Sequence, residues 1–141
     1  MSWLLDTDVL SQPAKRQGVG KVLRWLEEER ADCYTSTIVV GQLAYWVHTK
    51  SGVQRERLQT WLRRLLIGME GRVYGFTIAV AHVWAEQQRQ FDEAGVPMPI
   101  ADSFIAATAR RHNLTIVTGN EKDFRRPGLK VFNPFKELPA E

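Results

Sequence analysis

The chain alternates between short apolar runs and longer segments in which apolar residues recur every three or four positions. The runs at 3–6 and 114–118 are too short for helices and predict buried strands. The longer segments, such as 58–66 with arginines between its leucines, predict amphipathic helices. Short strands that alternate with helices indicate an α/β fold, with a parallel central sheet of about five short strands and helices on both faces.

The order of these elements along the chain can be predicted in more detail. Strands are predicted at residues 3–6, 33–36, 72–76, 114–118 and 130–132. Helices are expected from about 9 or 18 to 29, from 36 or 37 to 48, through 58–66, from a cap at 77 to 94, and from 102 to 113. Residues 95–99 form a clear loop, and Asp123 is expected in another. A length of 141 residues predicts one domain, residues 1–141, with 134–141 as a peripheral tail.

Composition narrows the class of protein. Apolar content of 44% and charged content of 25% are typical of a soluble globular protein. A net charge of +3 allows a polyanionic partner if the positive residues cluster. Cys33 is the only cysteine, which excludes an intrachain disulfide and favours a reducing compartment. No signal-peptide segment is visible and the longest apolar stretch, 38–47, is too short to span a bilayer, so a cytoplasmic protein with no membrane partner is expected.

Three aspartates, far apart in the chain, each lie where an apolar run stops. Asp6 ends the first strand, Asp102 lies on the first turn of a helix, and Asp123 follows the fourth strand. In open α/β sheets such positions meet beyond the carboxyl ends of the strands. Crowded carboxylates repel one another, and a divalent cation is the usual means of neutralising them. Hard oxygen ligands favour Mg²⁺ or Mn²⁺, so the pattern predicts metal-assisted chemistry on a phosphodiester.

The sequence around these aspartates resembles the PIN-domain family. The segments that carry the resemblance, in order, are Leu-Leu-Asp-Thr-Asp-Val-Leu at 4–10, Ala-Asp-Ser-Phe-Ile-Ala-Ala-Thr-Ala at 101–109, and Val-Thr-Gly-Asn at 117–120 with Asp123-Phe124. Within the family the chain is similar to VapC-type toxins of bacterial toxin–antitoxin pairs. The resemblance implies an endoribonuclease that uses Mg²⁺ or Mn²⁺ to cut structured RNA, commonly tRNA. It also implies a homodimer that a small VapB-like antitoxin holds inactive.

The resemblance further implies roles for individual residues. The metal ligands would be Asp6, Asp102 and Asp123. Residues that orient a water or a phosphate near them would be Thr7, Thr118 and Asn120.

One position departs from the family pattern. The family places a glutamate on the helix after the second strand, in a serine/threonine–apolar–acidic–leucine context, and here the matching position is Gln42. No other glutamate lies between Glu29 and Glu56, so a shifted alignment does not supply one. Glutamine keeps the shape but lacks the charge, so weaker metal binding and reduced or abolished cleavage are expected. Two explanations fit, a naturally divergent site or a deliberate Glu→Gln change that makes a toxic nuclease producible, and the otherwise intact motifs favour the second.

Two acidic positions have competing interpretations. Asp8 either supports the metal ligands or caps a helix, and the cap is favoured. Glu121 competes with Asp123 for the last acidic position, and Phe124 directly after Asp123 favours Asp123 because the family pattern has it so.

Basic and aromatic residues supply the candidate contacts with partners, although solvated faces and core packing are their commoner uses. The basic residues nearest the acidic positions in sequence, and therefore the candidates for RNA phosphates, are Lys122, Arg125 and Arg126. Aromatic residues are enriched in interface hot spots. The candidates for an antitoxin groove are Trp46, Leu58, Trp61, Leu62 and Leu65.

Two other functions compete with a nuclease. Asp6-Thr7-Asp8-Val9 after an apolar strand also resembles the first motif of haloacid-dehalogenase-type phosphohydrolases, in which the first aspartate is a covalent nucleophile. That class needs a late paired-acid motif at a strand end, which this chain lacks. The stronger alternative is a degenerate PIN domain that binds antitoxin or RNA without cutting, because of Gln42.

Overall fold

A five-stranded, all-parallel sheet forms the centre of the protein in a computed structural model that describes residues 1–136. The strands are β1 (Trp3–Leu5), β2 (Cys33–Ser36), β3 (Val73–Tyr74), β4 (Thr115–Val117) and β5 (Val131–Phe132). The helices are α1 (Thr7–Leu10), α2 (Gly20–Glu29), α3 (Thr37–His48), α4 (Gly52–Gly68), α5 (Ile78–Ala94), α6 (Ile100–Arg111) and α7 (Glu121–Phe124). The predicted α/β fold with a parallel sheet is confirmed. Residues 137–141 of the predicted tail lie outside the described residues.

The strand order creates the crevice in which a site can form. Neighbouring strands follow the order β3-β2-β1-β4-β5, so the chain runs outward in one direction from β1 and in the other from β4. Right-handed crossovers then place α1–α4 on one face of the sheet and α5–α7 on the other. The reversal lies between the carboxyl ends of β1 and β4, where open α/β sheets bind ligands. No helix in the described part of the chain is long and apolar enough to cross a bilayer.

A continuous apolar core lies between the sheet and the helices that cover its two faces. Every residue of β1 is buried, because helices cover both faces of a central parallel strand. The ring of Trp3 meets that of Trp25 edge-on at 5.1 Å between centroids, and Phe132 packs against both at 5.5 Å. Leu43, fully buried on α3, belongs to the same core and fixes how that helix sits on the sheet.

Most predicted boundaries hold, and the differences have identifiable causes. The segment after β1 is not one helix: α1 ends before Pro13, which cannot donate a backbone hydrogen bond, and α2 begins only at Gly20. The side chain of Gln12 bridges the gap, since its amide donates to the Asp8 carbonyl at 3.0 Å and accepts from the Val19 N–H at 3.0 Å.

Three further predictions about helix boundaries need correction. Helix α4 begins at Gly52, which has a φ of 58°, and so starts before the predicted segment 58–66. Helix α6 begins at Ile100, so Asp102 lies within its first turn and does not open it. The loop predicted around Asp123 is the short helix α7.

The packing of α3 can be tested by truncating its buried leucine. Leu43→Ala should lower the free energy of unfolding by about 2–5 kcal/mol, since it removes a fully buried side chain and leaves a cavity. Tyr45→Ala, on the same helix at 73% exposure, is the matched control and should change it by about 0.5 kcal/mol or less. Urea unfolding monitored by circular dichroism measures both. Equal effects of the two substitutions would contradict the assigned packing of α3.

Candidate active site

Asp6 is held from both sides at the end of β1. Its backbone N–H donates to the Val117 carbonyl at 3.0 Å, which continues the β1–β4 pairing by one residue. One carboxylate oxygen accepts from the Thr7 N–H at 2.8 Å and caps α1, and the other accepts from the Thr118 hydroxyl at 2.8 Å. Burial raises the pKa of Asp6, and these two hydrogen bonds oppose that rise. The carboxylate is therefore oriented but costly to ionise.

A chain of hydrogen bonds connects Asp6 to Asp123. Thr118, fully buried at the end of β4, donates to Asp6 and accepts from the Asn120 N–H at 2.9 Å. The Asn120 side-chain amide donates to an Asp123 oxygen at 2.9 Å. Thr118 and Asn120 therefore orient the two aspartates that the sequence places 117 positions apart, from 6 to 123.

Asp8 belongs to the same edge of the sheet. One of its oxygens accepts from the Gly119 N–H at 2.8 Å, while the other is buried and has no hydrogen-bond partner among the described residues. Burial, followed by the charge of Asp6, raises the pKa of Asp8 to about 6. The favoured interpretation of Asp8 as a helix cap was wrong, because Asp6 caps α1.

Gly119 is the residue that lets Asp8 come this close. A Cβ atom at position 119 would lie 2.8 Å from the Asp8 carboxylate and 2.9 Å from the Phe135 ring. Real Cβ atoms do not approach other atoms so closely, so a side chain here would displace one of the two neighbours.

Asp102 approaches from the opposite face of the sheet, on the first turn of α6. Burial raises the pKa of its carboxyl to about 6, and the negative charges of Asp6, Asp123 and Asp8 add to the rise. Asp102 therefore lies close enough to Asp6, Asp8 and Asp123 to be repelled by their charges.

Gln42 faces this group from α3. Ser36 caps that helix by accepting from the Val39 N–H at 3.3 Å, which sets where its first turns begin. The Gln42 side-chain carbonyl accepts a hydrogen bond from the Thr7 hydroxyl. Gln42 and Thr7 thus hold each other at the rim of the acidic group.

One cleft brings most of the predicted site residues together. Its volume is about 410 Å³, and its lining consists of Asp6, Thr7, Asp8, Ser11, Lys15, Gln42, Trp46, Asp102 and Asn120. Thr118 and Asp123 border it through their hydrogen bonds to Asp6 and Asn120. This cleft is called the acidic pocket below.

The acidic pocket contains oxygen ligands of the kind that hard divalent cations prefer. They are the carboxylate oxygens of the aspartates and the amide oxygens of Gln42 and Asn120. Among residues 1–136, no three histidine, cysteine or acidic side chains converge closely enough to enclose an ion by themselves. The aspartates therefore interact across the pocket rather than meeting at one point.

Glu121 and Asp123 have separate environments. Glu121 forms ion pairs with Arg125 and Lys136 and accepts from the Asn133 side chain at 3.1 Å. The Arg125 hydrogen bond contributes most to a Glu121 pKa of about 2. Glu121 therefore anchors the segment after β5, and Asp123 is the residue tied to the acidic pocket.

The predicted RNA-contact residues do not line the acidic pocket. Arg125 is paired with Glu121, and Arg126 donates to the carbonyls of Val96 and Pro97 at 3.0 and 2.9 Å, which ties α7 to the loop before α6. Lys122 is exposed. The basic residue in the pocket lining is Lys15, which the sequence did not single out because nothing in its neighbours marks the fold-back after α1.

Four of the five predicted antitoxin residues lie together, since Trp46, Trp61 and Leu62 pack against Leu58. Leu58 is only 1% exposed and Trp46 lines the acidic pocket. Leu65 lines a different cleft of about 370 Å³, beside residues of α2. Trp61 and Leu62 are partly buried against the core.

A sequence model of the PIN domain matches residues 3–129, a span that contains every aspartate of the acidic pocket. The chain belongs to the PIN domain family. It is 34% identical over 140 residues to the toxin FitB of Neisseria gonorrhoeae, covering 95% of this chain and 99% of that protein. The VapC ribonuclease Y4jK of Sinorhizobium fredii is 29% identical, with 94% and 97% covered.

The solved structure of FitAB bound to an IR36 DNA fragment has the same fold as this PIN domain. The TM-score is 0.91 at 30% identity, with 99% of each chain covered. With the family shown, the haloacid-dehalogenase alternative has no support, and Asp102 on a helix lacks the strand-end placement that it required.

The repulsion in the acidic pocket predicts that a carboxylate-to-amide change stabilises the metal-free PIN domain. Burial and neighbouring charges favour the protonated form of Asp102, so its ionisation destabilises the fold increasingly as pH rises from 3.8 to about 6. In EDTA above this range, Asp102→Asn should raise Tm by about 2–4 °C, the effect of roughly 1 kcal/mol after allowing for solvent screening of a half-buried group.

The pH profile and a matched substitution make this test specific. The gain should shrink as pH falls through 6 and vanish near 3.8, where the parent Asp102 is protonated. Asp92→Asn, exposed on α5 and outside the pocket, should show no such profile. A Tm lowered by Asp102→Asn above pH 6 would contradict the assigned repulsion.

The close approach at Gly119 predicts a second effect on stability. Gly119→Ala should cost about 1–3 kcal/mol, because its methyl group displaces Asp8 or Phe135. Gly41→Ala, within α3 with open space around its Cβ, should instead stabilise by about 0.5–1 kcal/mol. Chemical denaturation measures both, and a neutral Gly119→Ala would show that the contact between Asp8 and Gly119 is loose.

Proposed function

We propose that this PIN domain is the toxin of a toxin–antitoxin pair and that its chemistry is metal-dependent cleavage of RNA. The observation that carries the proposal is the gathering of Asp6, Asp8, Asp102 and Asp123 around one pocket at the switch point of the sheet. The names of two relatives, a toxin and a VapC ribonuclease, support the same conclusion. Structured RNA, with tRNA as the expected example, is the proposed substrate.

Each side chain has a definable task in this chemistry. A bound Mg²⁺ or Mn²⁺ supplies charge neutralisation, polarises the phosphoryl oxygen and activates water. Asp6, Asp102 and Asp123 would hold the ion, and Asp8 would add a further negative charge beside them. Thr118 and Asn120 fix the carboxylates of Asp6 and Asp123, so less reorganisation is needed when the ion binds.

Gln42 makes the present chain a weakened form of that enzyme. It occupies the position where the resemblance implies a glutamate, and its carbonyl already accepts from Thr7. A carboxylate there could accept the same hydrogen bond while adding one negative charge. A second candidate function rests on this residue: a PIN domain that binds antitoxin or RNA but does not cut.

The proposed assembly is a homodimer that a VapB-like antitoxin inhibits. The solved FitAB complex supports a partner for the related toxin. Light scattering of the purified chain, alone and co-expressed with the protein encoded beside it, tests this assembly. A strict monomer that binds no such protein would contradict it.

Restoring the acid at position 42 tests the nuclease. Gln42→Glu should produce discrete cleavage of total RNA that requires Mg²⁺ or Mn²⁺ and stops in EDTA, because the added carboxylate strengthens ion binding. The rate should exceed that of the present chain by about 100-fold or more, the scale of an essential catalytic group. Gln59→Glu, exposed on α4, adds the same charge outside the pocket and should leave cleavage unchanged.

Two outcomes separate the candidate functions. Adding Asp6→Asn to Gln42→Glu should eliminate cleavage with the circular dichroism spectrum unchanged, and retained cleavage would remove Asp6 from the assigned site. No cleavage by Gln42→Glu under any metal would favour the PIN domain that does not cut.

A further inference from the structure

A second cleft adjoins the acidic pocket and has the opposite charge. Its volume is about 640 Å³, and it lies between the turn after α1 and the connection from α3 to α4. Four cationic residues line it, Lys15, Arg16, Lys50 and Arg57, and its lining within residues 1–136 includes no aspartate or glutamate. It is called the basic pocket below.

The two pockets form one continuous depression. Lys15 and Trp46 line both of them, so a strand that leaves the acidic pocket on this side enters the basic pocket at once. Trp46 also holds a cation in place, because the Lys50 ammonium lies 5.7 Å from the centre of its ring.

The cations of the basic pocket are available to a ligand. None of the four forms an ion pair with a carboxylate of residues 1–136; the ion pairs found there belong to Arg89, Arg125 and Lys136. Arg57 donates to the Ala14 carbonyl at 3.2 Å, which connects the two walls and leaves other guanidinium N–H groups free. Arg16 is exposed.

The opposite charges of the two pockets give them different effects on an RNA strand. A cleft lined by three aspartates, with Asp123 at its border, repels a nucleic-acid strand, so most of the binding free energy must come from elsewhere. Arg16, Lys50 and Arg57 line the basic pocket but not the acidic one, and their charges attract phosphates, whose contacts position a strand irrespective of sequence.

We propose that the basic pocket binds the phosphates of the RNA strand next to the bond that lies in the acidic pocket. This inference rests on the proposed function and adds to it the side on which the substrate strand leaves. It also replaces the predicted RNA contacts on α7 with contacts on the segment after α1 and on α4.

Binding of RNA by the present chain provides the test. Affinity for a short fluorescein-labelled single-stranded RNA is measured by anisotropy in Ca²⁺ over a series of salt concentrations. The double substitution Arg16→Gln with Lys50→Gln should weaken binding about tenfold. Each lost phosphate contact lowers the slope of log K against log salt by about 0.7, so two should lower it by about 1.4.

A charge-matched control separates this pocket from general attraction. Arg24→Gln with Arg63→Gln removes two exposed positive charges from α2 and α4, outside both pockets. This control should keep the salt slope of the parent. Equal losses in both double variants, or no RNA binding by the parent, would overturn the inference.

An acidic peptide is the alternative occupant of the basic pocket. A poly-glutamate peptide of matched charge should compete poorly with the RNA. Competition at equal affinity, lost in the Arg16→Gln and Lys50→Gln variant, would overturn the assignment to an RNA strand in favour of a protein partner.

The experiments distinguish an error in the proposed nuclease activity from an error in the proposed role of the basic pocket. If the Gln42→Glu variant cleaves RNA and the two pocket substitutions leave its KM unchanged, only the pocket assignment is wrong. If RNA binding depends on the pocket while the Gln42→Glu variant never cleaves, the pocket assignment stands and the protein is an RNA-binding PIN domain.

Discussion

The contact between the ends of β1 and β4 determines where the rest of the site lies. The Asp6 N–H bonds to the Val117 carbonyl, and one residue later the Thr118 hydroxyl bonds to the Asp6 carboxylate. Because backbone pairing and side-chain bonding share the same register, a slip of one residue would turn these side chains to the other face. The positions of Asn120 and Asp123 then follow from that of Thr118.

The ionised carboxylates of the acidic pocket lower the free energy of unfolding. Burial raises the pKa values of Asp6, Asp8 and Asp102, and neighbouring negative charges add to the rise for Asp8 and Asp102, so these ionised carboxylates oppose folding near neutral pH. The compensation comes from the core on either side, where Trp3, Trp25 and neighbouring apolar residues are buried. Sites that must bind cations commonly show this separation between a stable scaffold and a strained centre.

The sequence predicted the features that depend on local pattern. Strand and helix order follows from the spacing of apolar residues, and the caps at Ser36 and Thr77 follow from hydroxyl side chains that can accept a backbone N–H. The fold was therefore largely predictable. The proximity of Asp6, Asp102 and Asp123 was predictable only by combining that order with the geometry of parallel sheets and with the family pattern.

The features that were not predictable depend on tertiary contacts. The neighbouring sequence does not show whether Asp6 or Asp8 caps α1. Asp6 is the cap, while the Asp8 carboxylate accepts from the Gly119 N–H, a residue far away in the sequence. Lys15 enters the acidic pocket only because Pro13 breaks the helix and turns the chain back. The antitoxin residues were chosen by sequence proximity; Trp46, Leu58, Trp61 and Leu62 do pack together, while Leu65 lines a separate cleft beside α2.

The order of strands in the sheet also bears on how the protein is made. Asp6 and Thr118 are 112 residues apart, and β4 joins the sheet beside β1 only after the first three strands have been synthesised. A nascent chain that ends before β4 can pair β1, β2 and β3, yet it lacks Thr118, Asn120 and Asp123. Because domains fold as units during synthesis, the acidic pocket closes only when nearly the whole domain has left the ribosome. The acidic pocket is thus absent from the nascent chain until translation of the domain is almost finished.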